Sequence, residues 1–326
     1  MPLAERALIA EIRRLAKTSS RLRNSSVPTG IGDDCAVLRT DANSEVLVTT
    51  DFTLEGVHFR REWHPAESVG HRCLARGLSD IAAMGGTPVA VFLSLALPRD
   101  LPQSWVRGFL RGLTKLGTRY EVTLAGGDIA QSPDGILADI IVVGTVPRGQ
   151  GVLRSGARPG DRIFVTGELG GSAAAVRQME KAKVNPRDYL RHFYPEPRIE
   201  VGRVLREKKL ATAMIDTSDG LSTDLSHICE ESGVGAEIDA AAVPRARVGR
   251  SLRLVDLDPA LHGGEDYELL FTAQAGKMIP NKIDGVAVTE IGRITPGKTI
   301  RIRSEQGKFK ILQPLGWEHF RKVHNL

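Results

Sequence analysis

Aromatic residues are scarce in this 326-residue chain, which holds three Trp, four Tyr and nine Phe, 5% of the whole. Proteins that grip single-stranded nucleic acid lean on exposed rings beneath the bases. The 44 Lys and Arg are dispersed among 39 Asp and Glu, so a formal net charge of +5 alone argues poorly for a nucleic-acid partner, and none is expected. Cysteine is nearly absent. Cys35, Cys73 and Cys229 are odd in number, far apart and without a CxxC pair, which excludes a disulfide frame and a thiolate zinc site. They read as small buried hydrophobes. Long apolar runs are missing too: the most apolar stretch, Val89 to Leu97, lies between Pro88 and Pro98 and falls well short of the roughly 20 residues that cross a bilayer. Glu5, Arg6, Glu11, Arg13 and Arg14 interrupt the N-terminal apolar pattern, which argues against a secretory leader and for the cytoplasm.

What is present is enough apolar content, 41%, for two cores. Leu3, Leu8, Ile12 and Leu15 recur near helical spacing, followed by a polar stretch into Gly30-Ile31-Gly32-Asp33-Asp34. Glu45 to Thr50 reads as a strand. Val69, Cys73, Leu78, Ile81 and Met84 mark a helix stopped by Gly85-Gly86. A strand over Val89 to Leu97, a helix carrying Val106, Phe109, Leu110, Leu113 and Leu116, and strands near Val122 to Ala125 and Ile136 to Val146 complete a first unit. The Gly- and Pro-rich segment Pro147 to Asp161 marks a boundary, giving domains 1–148 and 149–326. The second opens with a strand at Ile163 to Thr166, a turn Gly167-Glu168-Leu169-Gly170-Gly171 and a small-residue helix from Ser172. The class is mixed α/β (α+β), each domain a mixed sheet covered by helices.

Gly292-Arg-Ile-Thr-Pro-Gly297-Lys298-Thr299 satisfies the phosphate-loop pattern letter for letter. That loop functions by running into a helix whose first amides face the anion. Here the alternating Ile300-Arg-Ile302-Arg follows, so the expected structure is a Pro-Gly hairpin between two strands. The stronger signal is a series of aspartates at expected strand ends or glycine turns: Asp33-Asp34, Asp51, Gly126-Gly127-Asp128 and Asp216-Thr-Ser218-Asp219-Gly220, with Asp80 on an apolar helix. Each alone is ordinarily a turn residue or cap. Together they would crowd carboxylates at one sheet edge, a donor set suited to Mg²⁺ and phosphate oxygens. Arg154 is a candidate phosphate partner, and His58 and Trp317 are candidate ring contacts whose ordinary role is packing.

Seven ordered blocks, Gly-Ile-Gly-Asp33-Asp34, Thr49-Thr50-Asp51 with Gly-Val-His58-Phe, Leu-Ser-Asp80-Ile-Ala-Ala-Met-Gly, Gly-Gly127-Asp128, Arg154-Ser-Gly-Ala-Arg-Pro-Gly-Asp, Ile-Asp216-Thr-Ser218-Asp219-Gly and Gly-Gly-Glu265-Asp-Tyr-Glu, run nearly end to end. In these blocks the chain resembles the thiamine-monophosphate kinase family of the aminoimidazole-ribonucleotide synthetase-like superfamily. The resemblance implies that Asp34, Thr49, Thr50, Asp51, Asp80, Asp128, Asp216 and Asp219 hold several Mg²⁺ ions, with Asp51, Asp80 and Asp128 at the catalytic centre. It implies that Gly127, Asp128, Arg154 and Ser218 contact ATP, and that His58, Glu265 and Trp317 contact the thiamine substrate. It further implies a two-domain protomer that pairs through its N-terminal domains into a homodimer, and phosphorylation of thiamine monophosphate to the diphosphate. The alternative is a sister ATP-dependent enzyme of the superfamily, such as a purine-biosynthetic cyclase, against which the His58 and Glu265 blocks argue.

Overall fold

The computed structural model describes residues 33–39 and 43–320; the expected helix at Leu3 to Leu15 and the glycines Gly30 and Gly32 lie outside them. In β2 (Ser44–Leu54), Glu45, Leu47, Thr49 and Thr53 are buried while Thr50 and Phe52 are exposed, the period-two pattern of a strand with one covered face. It pairs with β1 (Ala36–Arg39) and β5 (Leu137–Pro147), and β3 (Thr87–Pro98) and β4 (Thr123–Ser132) complete a sheet in the order β1-β2-β5-β3-β4. All neighbours are antiparallel except β3 and β4.

Helices α1 (Ala66–Ala83) and α2 (Gln103–Arg119) lie together, burying Cys73, Leu74, Leu78, Ile81, Phe109 and Leu113. Two glycines set their separation. A Cβ on Gly112 would stand 1.8 Å from the carbonyl oxygen of Glu67, and one on Gly70 would stand 1.9 Å from that of Phe109. The stop expected at Gly85-Gly86 is present: Gly85 takes φ +65°, and the two amides donate to the carbonyls of Ala82 and Ile81.

The second sheet runs β15 (Phe309–Ile311), β14 (Ile300–Arg303), β8 (Gly235–Asp239), β13 (Val286–Thr295), β6 (Arg162–Thr166), β11 (Leu269–Ala273), β7 (Ala213–Asp216), with β12 (Lys282–Ile283) beside β13. Around it are α3 (Gly171–Met179), α4 (Leu190–Phe193), α5 (Ile199–Glu207), α6 (Leu221–Ser232) and α7 (Leu257–His262), and a separate two-stranded ribbon pairs β9 (Arg247–Val248) with β10 (Arg253–Leu254).

Two buried apolar clusters form, but they are not one per domain. The first joins Leu47, Leu78 and Ile140 of the first sheet layer to Phe164, Leu205, Met214 and Phe271 of the second unit; the other cluster lies within the second unit alone. Helix α1 is the shared wall. It packs on β2 and β5 from one side and on α5 and β7 from the other, which sets Asp80 beside Asp216.

Three local expectations are corrected. β2 continues to Leu54, so Asp51 lies inside the strand rather than at its end. Gly126, Gly127 and Asp128 form no turn: they sit in the middle of β4, paired with Phe92, Leu93 and Ser94. A Cβ at Gly127 would stand 1.9 Å from the Leu93 carbonyl oxygen, so glycine here permits a close strand approach. The Pro-Gly segment before Lys298 joins two strands and no helix follows, but β13 and β14 are not a hairpin, because β8 lies between them. The connection arches over the start of β8, where the Ala236 amide donates to the Thr299 carbonyl.

Candidate active site

Asp34 follows the start of the described chain, Asp80 sits in α1 and Asp216 ends β7, yet one carboxylate oxygen from each falls within 4.8 Å of the others. The cluster is tied down by neighbours. Thr49 donates its hydroxyl hydrogen to Asp80, and Ser79 Oγ donates to Asp216 Oδ2 at 2.6 Å. Arg154 grips Asp34 with two parallel bonds, Nε to Oδ2 and Nη2 to Oδ1, each 3.0 Å, and its amide donates to Asp33 Oδ1 at 3.2 Å.

Burial, then repulsion from neighbouring carboxylates, makes charge expensive here. It pushes Asp216 up to about 8 and Asp33 up to about 7, and raises Asp80 well above the ordinary carboxylate value. Asp224 behind the loop is raised for the same reasons, burial first and then Asp219 and Asp216. Such crowding of oxygen donors, with no sulfur and no imidazole in the cluster, fits a hard divalent cation.

Asp80 and Asp216 of the cluster line a cavity of about 490 Å³ together with Asp51, Ser218 and Asp219. The same cavity is lined by His58, Trp317 and His319. His58 and His319 meet edge to face at 5.8 Å, and Trp317 and His319 at 5.6 Å. His58 Nδ1 accepts the Leu54 amide at 3.0 Å, and burial lowers the ring to about 3, so it is a neutral ring near pH 7. The Trp317 amide donates to the Asp219 carbonyl, which fastens the C-terminal segment to the aspartate loop.

Glu265 and Arg76 line the same cavity. Burial opposes the charge of Glu265, but Arg72 and Arg76 hold its carboxyl below the ordinary value. Arg72 Nη2 donates to Glu265 Oε2 at 2.6 Å. Glu265 and Tyr267 both adopt left-handed backbone, φ 65° and 52°, pinned by their amides to the carbonyls of Ser218 and Thr217. Strain in two non-glycine residues flanking Asp266 marks a segment shaped for a site.

Of the residues singled out from sequence, the structure assembles Asp34, Thr49, Asp80, Arg154 and Asp216 in one network, and Asp51, His58, Ser218, Asp219, Glu265 and Trp317 around the same cavity. Thr50 projects on the other face of β2, and Gly127 and Asp128 sit on exposed β4, with β5 and β3 between them and β2. Arg72, Arg76 and Tyr267 were missed. Arg72, Arg76 and Asp80 recur every four residues, so a charged stripe along an otherwise buried helix was the available signal.

Two sheets joined through one helix, with acidic groups converging where they meet, define a scaffold of the AIR synthase related class: residues 32–146 match the AIR synthase related protein N-terminal domain and residues 158–305 its C-terminal domain. The chain is 36% identical to a thiamine-monophosphate kinase of Bacillus subtilis, covering 93% of this chain and 97% of that one. It is 37% identical to the thiamine-monophosphate kinase of Escherichia coli K12, covering 95% and 98%. A solved structure described as AaThiL complexed with AMPPCP and TMP superposes with a TM-score of 0.82 at 34% identity, over 98% of this chain and 97% of that one. The chain belongs to the thiamine-monophosphate kinase family of AIR synthase related proteins.

Proposed function

We propose that the protein is a thiamine-monophosphate kinase, transferring the terminal phosphoryl group of ATP to the phosphate of thiamine monophosphate and releasing ADP. The observation that carries this reading is the cavity itself, which is lined both by carboxylates of the buried cluster and by the rings of His58, Trp317 and His319.

A phosphate monoester loses its second proton near pH about 6, so at neutral pH the attacking oxygen is already anionic and no general base is required. In the transfer, that oxygen forms a bond to the γ-phosphorus as the bond to the β–γ bridging oxygen breaks, and the electron pair leaves with ADP. What the site must do is bring two anions together. Asp34, Asp80 and Asp216, with Thr49, Thr50, Asp51, Asp128 and Asp219 as further proposed ligands, would hold Mg²⁺. When bound, Mg²⁺ supplies charge neutralisation between the triphosphate of ATP and the phosphate of the acceptor. Asp51, Asp80 and Asp128 are the proposed catalytic aspartates; Gly127, Asp128, Arg154 and Ser218 the proposed ATP contacts; His58, Glu265 and Trp317 the proposed thiamine contacts. Asp128 itself lies on the edge strand β4, outside the cavity lining.

The proposed domain division stays at 148/149. A homodimer is supported by the uncovered face and edge of the first sheet, where Phe52, Val89, Phe92 and Ile129 are 54%, 48%, 37% and 76% exposed. A cytoplasmic location is supported by three buried free thiols. The test is chromatographic: purified protein with thiamine monophosphate, ATP and Mg²⁺ yields thiamine diphosphate, and Asp51→Asn does not. ATP consumption without thiamine diphosphate would reject the acceptor.

A further inference from the structure

Among the described residues lining the cavity, two are arginines, Arg76 and Arg177, and Arg177 is turned to the exposed Asp258 at 2.7 Å. We infer that Arg76 binds the phosphate of the acceptor and makes this site select a phosphorylated acceptor over its unphosphorylated alcohol. The inference rests on the kinase reading above and adds to it the residue that reads the acceptor phosphate.

Guanidinium carries five N–H donors, and the protein engages those of Arg76 loosely. Nη2 lies 3.3 Å from Asp51 Oδ1 and Nη1 3.5 Å from Glu265 Oε1, while Nε is buried and has no hydrogen-bond partner. Arg72 holds Glu265 Oε2 at 2.6 Å, while Glu265 Oε1 is buried without a hydrogen-bond partner, so Arg76 at 3.5 Å leaves that oxygen unsatisfied as well as its own Nε. A buried donor without an acceptor costs on the order of 1–3 kcal/mol, and a phosphate oxygen would relieve that cost. The placement suits it. Arg76 lines the cavity together with His58, Trp317, Asp51 and Asp80, and its Nη2 is 3.3 Å from Asp51, so an acceptor with its rings against His58 and Trp317 and its phosphate directed toward Asp51 lies beside it; a planar fork matches phosphate oxygens in a way that ammonium does not. The same guanidinium repels a purely cationic acceptor, so phosphate is favoured and its absence penalised at one position.

The experiment is calorimetric titration of the full-length protein in Mg²⁺ buffer with thiamine monophosphate and, separately, with thiamine. In Arg76→Met, affinity for the monophosphate falls at least tenfold, whereas thiamine binds equally well or more tightly. Arg76→Lys, which keeps the charge and loses the fork, falls between wild type and Arg76→Met and guards against loss of fold in the methionine variant. Unchanged monophosphate affinity in both variants overturns the inference, as does an equal loss for both ligands, which would make Arg76 a support for Glu265. Wild-type protein that binds neither ligand removes the kinase reading and this inference together, a result distinct from either.

Discussion

Three carboxylates drawn within 4.8 Å in a buried setting repel one another, so stability is sacrificed there unless cations arrive. Asp80→Asn removes one of the charges while keeping the shape and the acceptor for Thr49. The expected outcome is a loss of turnover on the order of a thousandfold in a steady-state assay, with a melting temperature in chelator equal to wild type or a few degrees higher. A purely structural aspartate would show the reverse. Beneath the cavity, His64 Nε2 and His192 Nε2 lie 2.9 Å apart beside Arg72. Burial and then the guanidinium lower His64 to about 4 and hold His192 well below its ordinary value. Because the unfolded chain binds these protons near 6.5 and the folded one resists them, the contribution of His64 is complete above pH 6.5 and is lost as pH falls toward about 4. His64→Gln should therefore flatten the fall in urea midpoint between pH 7 and 5 relative to wild type, by roughly 1–3 kcal/mol of unfolding free energy. An identical slope in the variant would assign the acid sensitivity elsewhere.

At the scale of elements, α1 does the most. One face completes the first sheet layer, the other meets α5 and β7, and Arg76 and Asp80 of its charged stripe line the cavity while Arg72 reaches it through Glu265. The contact with α5 depends on Gly202, where a Cβ would stand 2.0 Å from the carbonyl oxygen of Ala82. Gly202→Ala should lower stability by roughly 1–3 kcal/mol, read from the denaturant midpoint, and should reduce turnover as Asp80 and Asp216 move apart. Most of this level was legible in sequence. The apolar repeat Val69, Cys73, Leu78, Ile81 and the Gly85-Gly86 stop foretold α1, because a buried helix and its terminator are local features. β4 was harder. Gly126-Gly127-Asp128 has turn composition, and only its pairing with Leu93 across the sheet, a contact distant in sequence, makes it strand. The same limit applies to β13 and β14: their flanking of β8 is a property of the whole sheet, invisible to a reading of neighbours in the chain.

At the scale of the whole molecule, the crowding of the aspartates was legible in the sequence, but its place was not: it was expected at one sheet edge, whereas Asp34 and Asp216 meet through the docking of two separately built sheets, with Asp80 on a helix between them. Among the described residues, the outer face and edge of the first sheet expose Phe52, Val89, Phe92 and Ile129. Ile129→Lys with Phe52→Asp should shift the protein from dimer to monomer by sedimentation velocity without changing its far-UV circular dichroism; a wild-type protein already monomeric at micromolar concentration would remove the dimer from the account.

The central claim is that this cavity joins a phosphoryl group to a phosphate acceptor, and phosphorus NMR observes that bond forming. With thiamine monophosphate, ATP and Mg²⁺, the wild type should convert the monoester resonance into the coupled pair of a diphosphate ester in step with ADP, and Asp80→Asn should leave the spectrum unchanged. Orthophosphate as the sole new signal, or a diphosphate ester formed equally well by Asp80→Asn, would contradict the account.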